Sequence, residues 1–187
     1  TWADVALTQT LEQGYLPIPS SQWRAGDLTL STTAFATGPG GAATLFIRYR
    51  ITNHSAATCA VRFFATIRPF QVTPTWQHWD TFGGVSQISE LAYTSGGVWV
   101  NRRKRIIPLT APSQFGAATF AQGPITEHLQ TGEVPSQDSV NDAFGYASGA
   151  LRFDLNLLAH ASDEIYLAIP FGTEEQGESP RQGYCAS

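Results

Sequence analysis

The sequence predicts an all-β protein, a large two-sheet antiparallel β-sandwich of the supersandwich kind with one short helix. Three observations predict it. Apolar and polar residues alternate with period two through most of the patterned runs. The runs recur about every ten residues, with Gly, Asn, Ser and Asp between them. A single stretch, residues 125–130 (ITEHLQ), has helical character.

In chain order, residues 5–10 form a short strand. Residues 27–36 (DLTLSTTAFA) form a longer one that runs into the turn Gly38-Pro39-Gly40-Gly41. In residues 44–52, Leu45, Ile47, Tyr49 and Ile51 share one face, while Phe46, Arg48, Arg50 and Thr52 occupy the other. Turn chemistry at 53–57 leads into residues 59–68, with Val61, Phe63, Ala65 and Ile67 inward and Arg62, Phe64, Thr66 and Arg68 outward. These two runs are expected to pair as an antiparallel hairpin. Strands at 85–92 and 97–100 flank Thr94-Ser95-Gly96, and strands at 104–109 and 114–121 follow. The helix ends at Thr131-Gly132. In residues 150–158, Leu151, Phe153, Leu155 and Leu157 point inward; His160-Ala161-Ser162-Asp163 turns the chain and 164–169 returns it. Roughly eight to eleven strands in 187 residues exceed an immunoglobulin-like domain of about 100 residues. Residues 1–173 read as one sandwich domain, and 174–187 as an acidic, turn-rich exit segment or linker.

Composition narrows the function classes. The chain is hydrophobic at 42% and charged at only 14%, against about 25% charged in average proteins. A core of ordinary size is expected and disorder is excluded. No apolar run reaches the ~20 residues that span a bilayer as a helix, so no membrane partner is expected. A net charge of -4 argues against nucleic acid as a partner. The run Asn101-Arg102-Arg103-Lys104-Arg105 reads as a solvated hairpin tip, because apolar residues flank it on both sides. There is no Met, even at position 1, and the chain is expected to be a processed or excised piece of a longer protein. Cys59 and Cys185 lack metal-ligand spacing and pair only if the tail folds back.

No metal site, cofactor or catalytic motif is legible. His54 and His160 fall in turns, and His128 lies in the helix beside Glu127. No pair of glycosidase-type carboxylates can be chosen among fifteen acids. Asn53-His54-Ser55 matches an N-glycosylation sequon. The segment around Trp76, His78, Trp79 and Asp80 is richer. Flat rings beside hydrogen-bonding groups suit a sugar, whose C–H faces stack on the ring while its hydroxyls meet polar side chains. Two readings stand: these residues contact carbohydrate or a neighbouring domain, or Trp76 and Trp79 plug one end of the sandwich. Alternate positions on the two strands expected to pair place Arg48, Arg50, Arg62 and Arg68 on one sheet face. There they either meet carboxylates across an interface or form a solvated face with local ion pairs.

Leu16-Pro17-Ile18-Pro19 with Trp23, LTLSTTAFATG, LFIRYRITN and FFATIRPFQVTPTWQ form one series, continued by GGVSQI, VWVN, FGAATFAQGPITEHL, GYASGALRFDL and EIYLAIPF. Over about residues 10–171 the series resembles a β-sandwich domain of large bacterial glycosidase-like proteins. Those proteins look like members of the six-hairpin (α/α)-barrel glycosidase group, often labelled discoidin or coagulation factor 5/8 type for a carbohydrate-binding module elsewhere in the chain. The discoidin module's own layout is not seen here. The resemblance implies a non-catalytic domain that packs against a catalytic barrel of the same polypeptide, with an oligo- or polysaccharide as the parent's substrate. It carries over no catalytic residue. The alternatives are an autonomous carbohydrate-binding module using the loop at 76–80, and a small glycoside hydrolase.

Overall fold

A computed structural model describes residues 5–73 and 84–172. These residues form a nine-stranded sheet, a three-stranded sheet and a two-stranded ribbon, all antiparallel. The strands are β1 (Ala6–Glu12), β2 (Leu16–Ala25), β3 (Leu28–Thr37), β4 (Thr44–Asn53), β5 (Cys59–Ile67), β6 (Gln71–Thr73) and β7 (Gly84–Val85). They continue as β8 (Glu90–Thr94), β9 (Gly97–Val100), β10 (Lys104–Pro108), β11 (Gln114–Ala118), β12 (Ser139–Asn141), β13 (Ser148–Leu157) and β14 (Ser162–Pro170). The large sheet runs β1-β2-β3-β4-β14-β10-β9-β8-β12, and the small one β11-β13-β5. The two sheets make the sandwich that the alternation predicts.

The core lies between the inner faces. Ile51 and Ile165 of the large sheet pack with Leu151, Phe153 and Leu157 of the small one, and with Leu91 and Val98 farther along. Rings bridge the two layers: Tyr49 lies 4.8 Å from Phe63, and Phe63 lies 6.2 Å from Phe153, centroid to centroid. The inward residues expected for 44–52, 59–68 and 150–158 all belong to this cluster or pack on it, apart from Leu45. On the outside of the small sheet, the one α-helix among the described residues, α1 (Ile125–His128), buries Ile125 with Val134, Ala150 and Phe64. Phe64, expected to point away from the core, therefore has a second, smaller core to occupy. A 3₁₀ turn at Leu129–Thr131 follows, and Gly132 closes it at φ 78°, a left-handed conformation that glycine adopts without a Cβ penalty.

The expected hairpin between 44–52 and 59–68 does not form. β4 pairs with β3 and β14, whereas β5 pairs with β13 in the other sheet. The connection at 54–58 crosses the sandwich, and so does the one between β13 and β14. Period-two alternation defines which face of a strand is buried but leaves its neighbours open. Asn53 makes the difference. Only 1% exposed, it donates from Nδ2 to the carbonyls of Ala57, Leu157 and Leu158, at 2.7, 3.3 and 3.1 Å, and so ties both crossings together. Its Oδ1 accepts from the backbone N–H and the hydroxyl of Ser55, at 3.0 and 2.8 Å.

Other elements differ at their ends. The expected strand at 85–92 divides into β7 and β8, with Ile88 between them in a parallel bridge to Tyr146. The strand expected at 114–121 ends at Ala118, where Thr119 and Gln122 form a capping box over a 3₁₀ turn. β2 is a strand that the sequence reading did not include. Pro17 and Pro19 argue against a strand, yet both lie in the stretch outside the β3 ladder, which begins at Ser20.

Candidate binding face

The outer face of β1, β2, β3, β4 and β14 is an open trough of about 620 Å³ lined by polar side chains. The register builds it in rows. Thr8, Gln22, Ser31, Arg50 and Glu164 stand side by side across five strands. The next row holds Thr10, Ser20, Thr33, Arg48 and Tyr166, and the row on the other side holds Arg24, Thr29, Thr52 and Ser162. One step beyond Thr33 and Arg48, Phe35 and Phe46 stack on the same face at 5.5 Å and 22°. The face thus joins hydroxyls, an amide and guanidinium groups to an aromatic end.

Glu164 organises the centre. Its carboxylate lies 3.8 Å from both the Arg48 and the Arg50 guanidinium, and it accepts a hydrogen bond from the Tyr166 hydroxyl. That bond is the main reason the Tyr166 hydroxyl titrates above its usual value. Arg48 also donates to Thr33 Oγ1 at 3.4 Å. The neighbouring hydroxyls are linked in pairs, Ser20 to Thr33 at 2.8 Å and Thr52 to Ser162 at 2.9 Å, while His54 meets Thr29 at 2.9 Å. The side chains of Arg48 and Arg50 remain 44% and 51% exposed, so these ion pairs add little stability. Their guanidinium donors stay accessible to a ligand while one carboxylate restrains their geometry.

The four arginines separate. Arg48 and Arg50 share this face, but Arg62 lies on the outside of the other sheet and Arg68 follows β5, with its guanidinium 6.0 Å from the Phe70 ring. The expectation of one face fails because β4 and β5 are not neighbours. Arg62 belongs to a local network. It bonds Glu133 and the Gly132 carbonyl, each at 3.0 Å, and approaches Asp154 at 3.7 Å. Arg152 bonds Glu133 and, at 3.0 Å, Asp154. Two guanidinium groups hold two carboxylates, clamping the segment after α1 to the small sheet.

Trp76, His78, Trp79 and Asp80 lie outside the described residues, as does Cys185; Cys59 is half-buried. The basic run spans the turn at 101–103 and the first two residues of β10, the turn being stabilised where Asn101 Oδ1 accepts the N–H groups of Ser89 and Glu90 and Arg102 pairs with Glu90 at 2.7 Å. Arg105 lies over Trp99, 5.5 Å from the ring centroid. The Asn53 sequon is buried and spent on backbone carbonyls. Among the described residues no three His, Cys, Asp or Glu side chains converge on a metal-sized site. Thr8, Gln22, Ser31, Glu164 and Tyr166 were not singled out from the sequence. Residues 27–36 were legible as a strand, but no local signal places Thr29, Ser31 and Thr33 beside Arg48 and Glu164. No family model matches the chain, and no curated protein does so either.

Proposed function

We propose that the chain is a non-catalytic β-sandwich domain of a larger bacterial glycoside hydrolase-like protein, packing against that protein's catalytic barrel, and that the trough on its large sheet contacts carbohydrate. The observation that carries the reading is the Arg48–Glu164–Arg50 bracket, set among hydroxyls and continued by the Phe35–Phe46 stack. A sugar chain needs this combination: donors and acceptors fixed by a scaffold, with an apolar ring for its C–H faces. Resemblance to sandwich domains of six-hairpin glycosidases supports the same reading. Arg24, Arg48 and Arg50 outnumber the single carboxylate of Glu164 in the trough, so a uronic-acid oligosaccharide is favoured over a neutral one.

Calorimetric titration of the chain with neutral and uronic-acid oligosaccharides tests this. Binding should weaken at least tenfold in Arg48→Ala/Arg50→Ala and fall with salt, and no glycoside should be turned over. Loss of binding in Trp76→Ala with the arginine variant unaffected would move recognition to the loop at 76–80. Hydrolysis by the chain alone would defeat the non-catalytic reading.

A further inference from the structure

The large sheet ends at β1, which has one neighbour among the described residues, β2, and all seven of its residues are exposed. An open edge of this length invites pairing, and proteins commonly protect such edges with charge, proline or a bulge. Residues 6–11 carry neither charge nor proline, and the irregularity in the β1–β2 ladder comes only at Leu11/Glu12, beside the hairpin turn. The other long edge, β5, carries Arg62, and β12 at the far end of the large sheet has three residues.

The sequence of β1 reads the same in both directions about Gln9: Leu7-Thr8-Gln9-Thr10-Leu11. A two-fold interface requires a surface complementary to itself, and two antiparallel copies of this strand meet that requirement residue by residue. With Gln9 on the axis, Leu7 faces Leu11 of the second copy, Thr8 faces Thr10, and Glu12 faces Ala6, so no like charges oppose each other. The faces agree as well. Leu7 and Leu11 lie on the inner side, in register with Trp23 and Pro19, while Thr8 and Thr10 lie on the trough side. Leu7 and Leu11 are 55% and 45% exposed; pairing would place each beside another leucine.

We propose that β1 is a homodimerisation edge, with a second copy of this chain adding its own β1 antiparallel about Gln9 and making the two large sheets continuous. The Thr8 and Thr10 rows then carry the polar trough across the junction into the second copy. A seven-residue ladder is small beside the ~800 Å² per partner of a standard interface, so the dimer should dissociate on dilution.

Sedimentation equilibrium of the full chain over a concentration series should show a reversible monomer–dimer equilibrium. Gln9→Lys opposes two cations at the axis and should raise the dissociation constant at least tenfold, while the thermal midpoint of the dilute monomer stays unchanged. Oxidative cross-linking checks the register in a Cys59→Ser/Cys185→Ser background. Gln9→Cys should form a covalent dimer by itself, whereas Thr8→Cys should do so only when mixed with Thr10→Cys. A chain that stays monomeric up to about 1 mM, near the weak limit of specific association, overturns the proposal. So does a dimer indifferent to Gln9→Lys, or cross-linking as efficient for Thr8→Cys alone as for Gln9→Cys.

Discussion

Asn53 closes β4, and its buried amide joins the two connections that cross the sandwich. Removing that side chain takes a donor from the buried Leu157 carbonyl and unties Ser55 from β4, whereas the Ala57 and Leu158 carbonyls keep Ser55 Oγ and the Ala161 N–H; one buried polar group left unsatisfied costs about 1–3 kcal/mol. Asn53→Ala should therefore lower unfolding free energy by about 1–3 kcal/mol, measurable by urea denaturation. The same burial predicts no glycan on Asn53 when the folded protein is analysed by mass spectrometry after passage through a eukaryotic secretory route. Tyr49 gives a second test at this scale. Burial raises its hydroxyl above the ordinary value of 10.0, so the folded state keeps a proton that the unfolded state releases. Its contribution is whole below about pH 10 and declines as pH rises beyond it. Tyr49→Phe should flatten the loss of stability between about pH 9 and 11, as followed by denaturant midpoints.

Among the elements, β11 shows how little room the small sheet leaves at its edge. A Cβ on Gly116 would lie 2.0 Å from the Pro135 carbonyl oxygen and 2.8 Å from the Pro135 nitrogen, both backbone atoms that cannot swing aside. Gly116→Ala should destabilise the protein by about 3 kcal/mol or more, since forced overpacking moves backbone; the thermal midpoint reads it directly. Several elements were legible from local chemistry alone. Leu28–Thr37 and Thr44–Asn53 match the alternating runs, α1 falls within 125–130, and the turn at Ser95-Gly96 joins β8 to β9 with both residues at positive φ. β2 was obscured because Pro17 and Pro19 look like breakers, and only its place beside β1 beyond the β3 ladder makes them harmless. The strand expected at 85–92 is interrupted for a related reason: Ile88 is buried in the main core while its backbone makes only an isolated bridge to Tyr146, and burial there does not require a continuous ladder.

For the whole molecule, the unequal sheets matter most. Among the described residues, nine strands against three leave the β1 end of the large sheet uncovered on its inner side, and the outer face of its first five strands open. The trough arises from strands at 6–12, 16–25, 28–37, 44–53 and 162–170, so β14 reaches it from more than a hundred residues away. Glu164 supplies the test at this scale. Glu164→Gln removes the charge that restrains both guanidinium groups; it should weaken uronic-acid binding less than Arg48→Ala/Arg50→Ala does and leave the circular dichroism spectrum unchanged. Titration calorimetry with the three proteins ranks them. If Glu164→Gln bound as wild type while the arginine variant lost affinity, the carboxylate would have no positioning role.

Alternation along the strands determined by itself that this chain is a β-sandwich and most of the inward side chains of β4, β5 and β13, because period two is a local property of extended backbone. It also put Arg48 and Arg50 on one side of β4, and Arg62 on the outward side of β5. Whether those sides met was decided only in three dimensions. Strand partners are chosen by contacts between residues far apart in sequence, and here a buried asparagine and two crossings sent β4 and β5 to opposite layers. Glu164 thereby came to Arg50, and the local pattern of neither strand records the other.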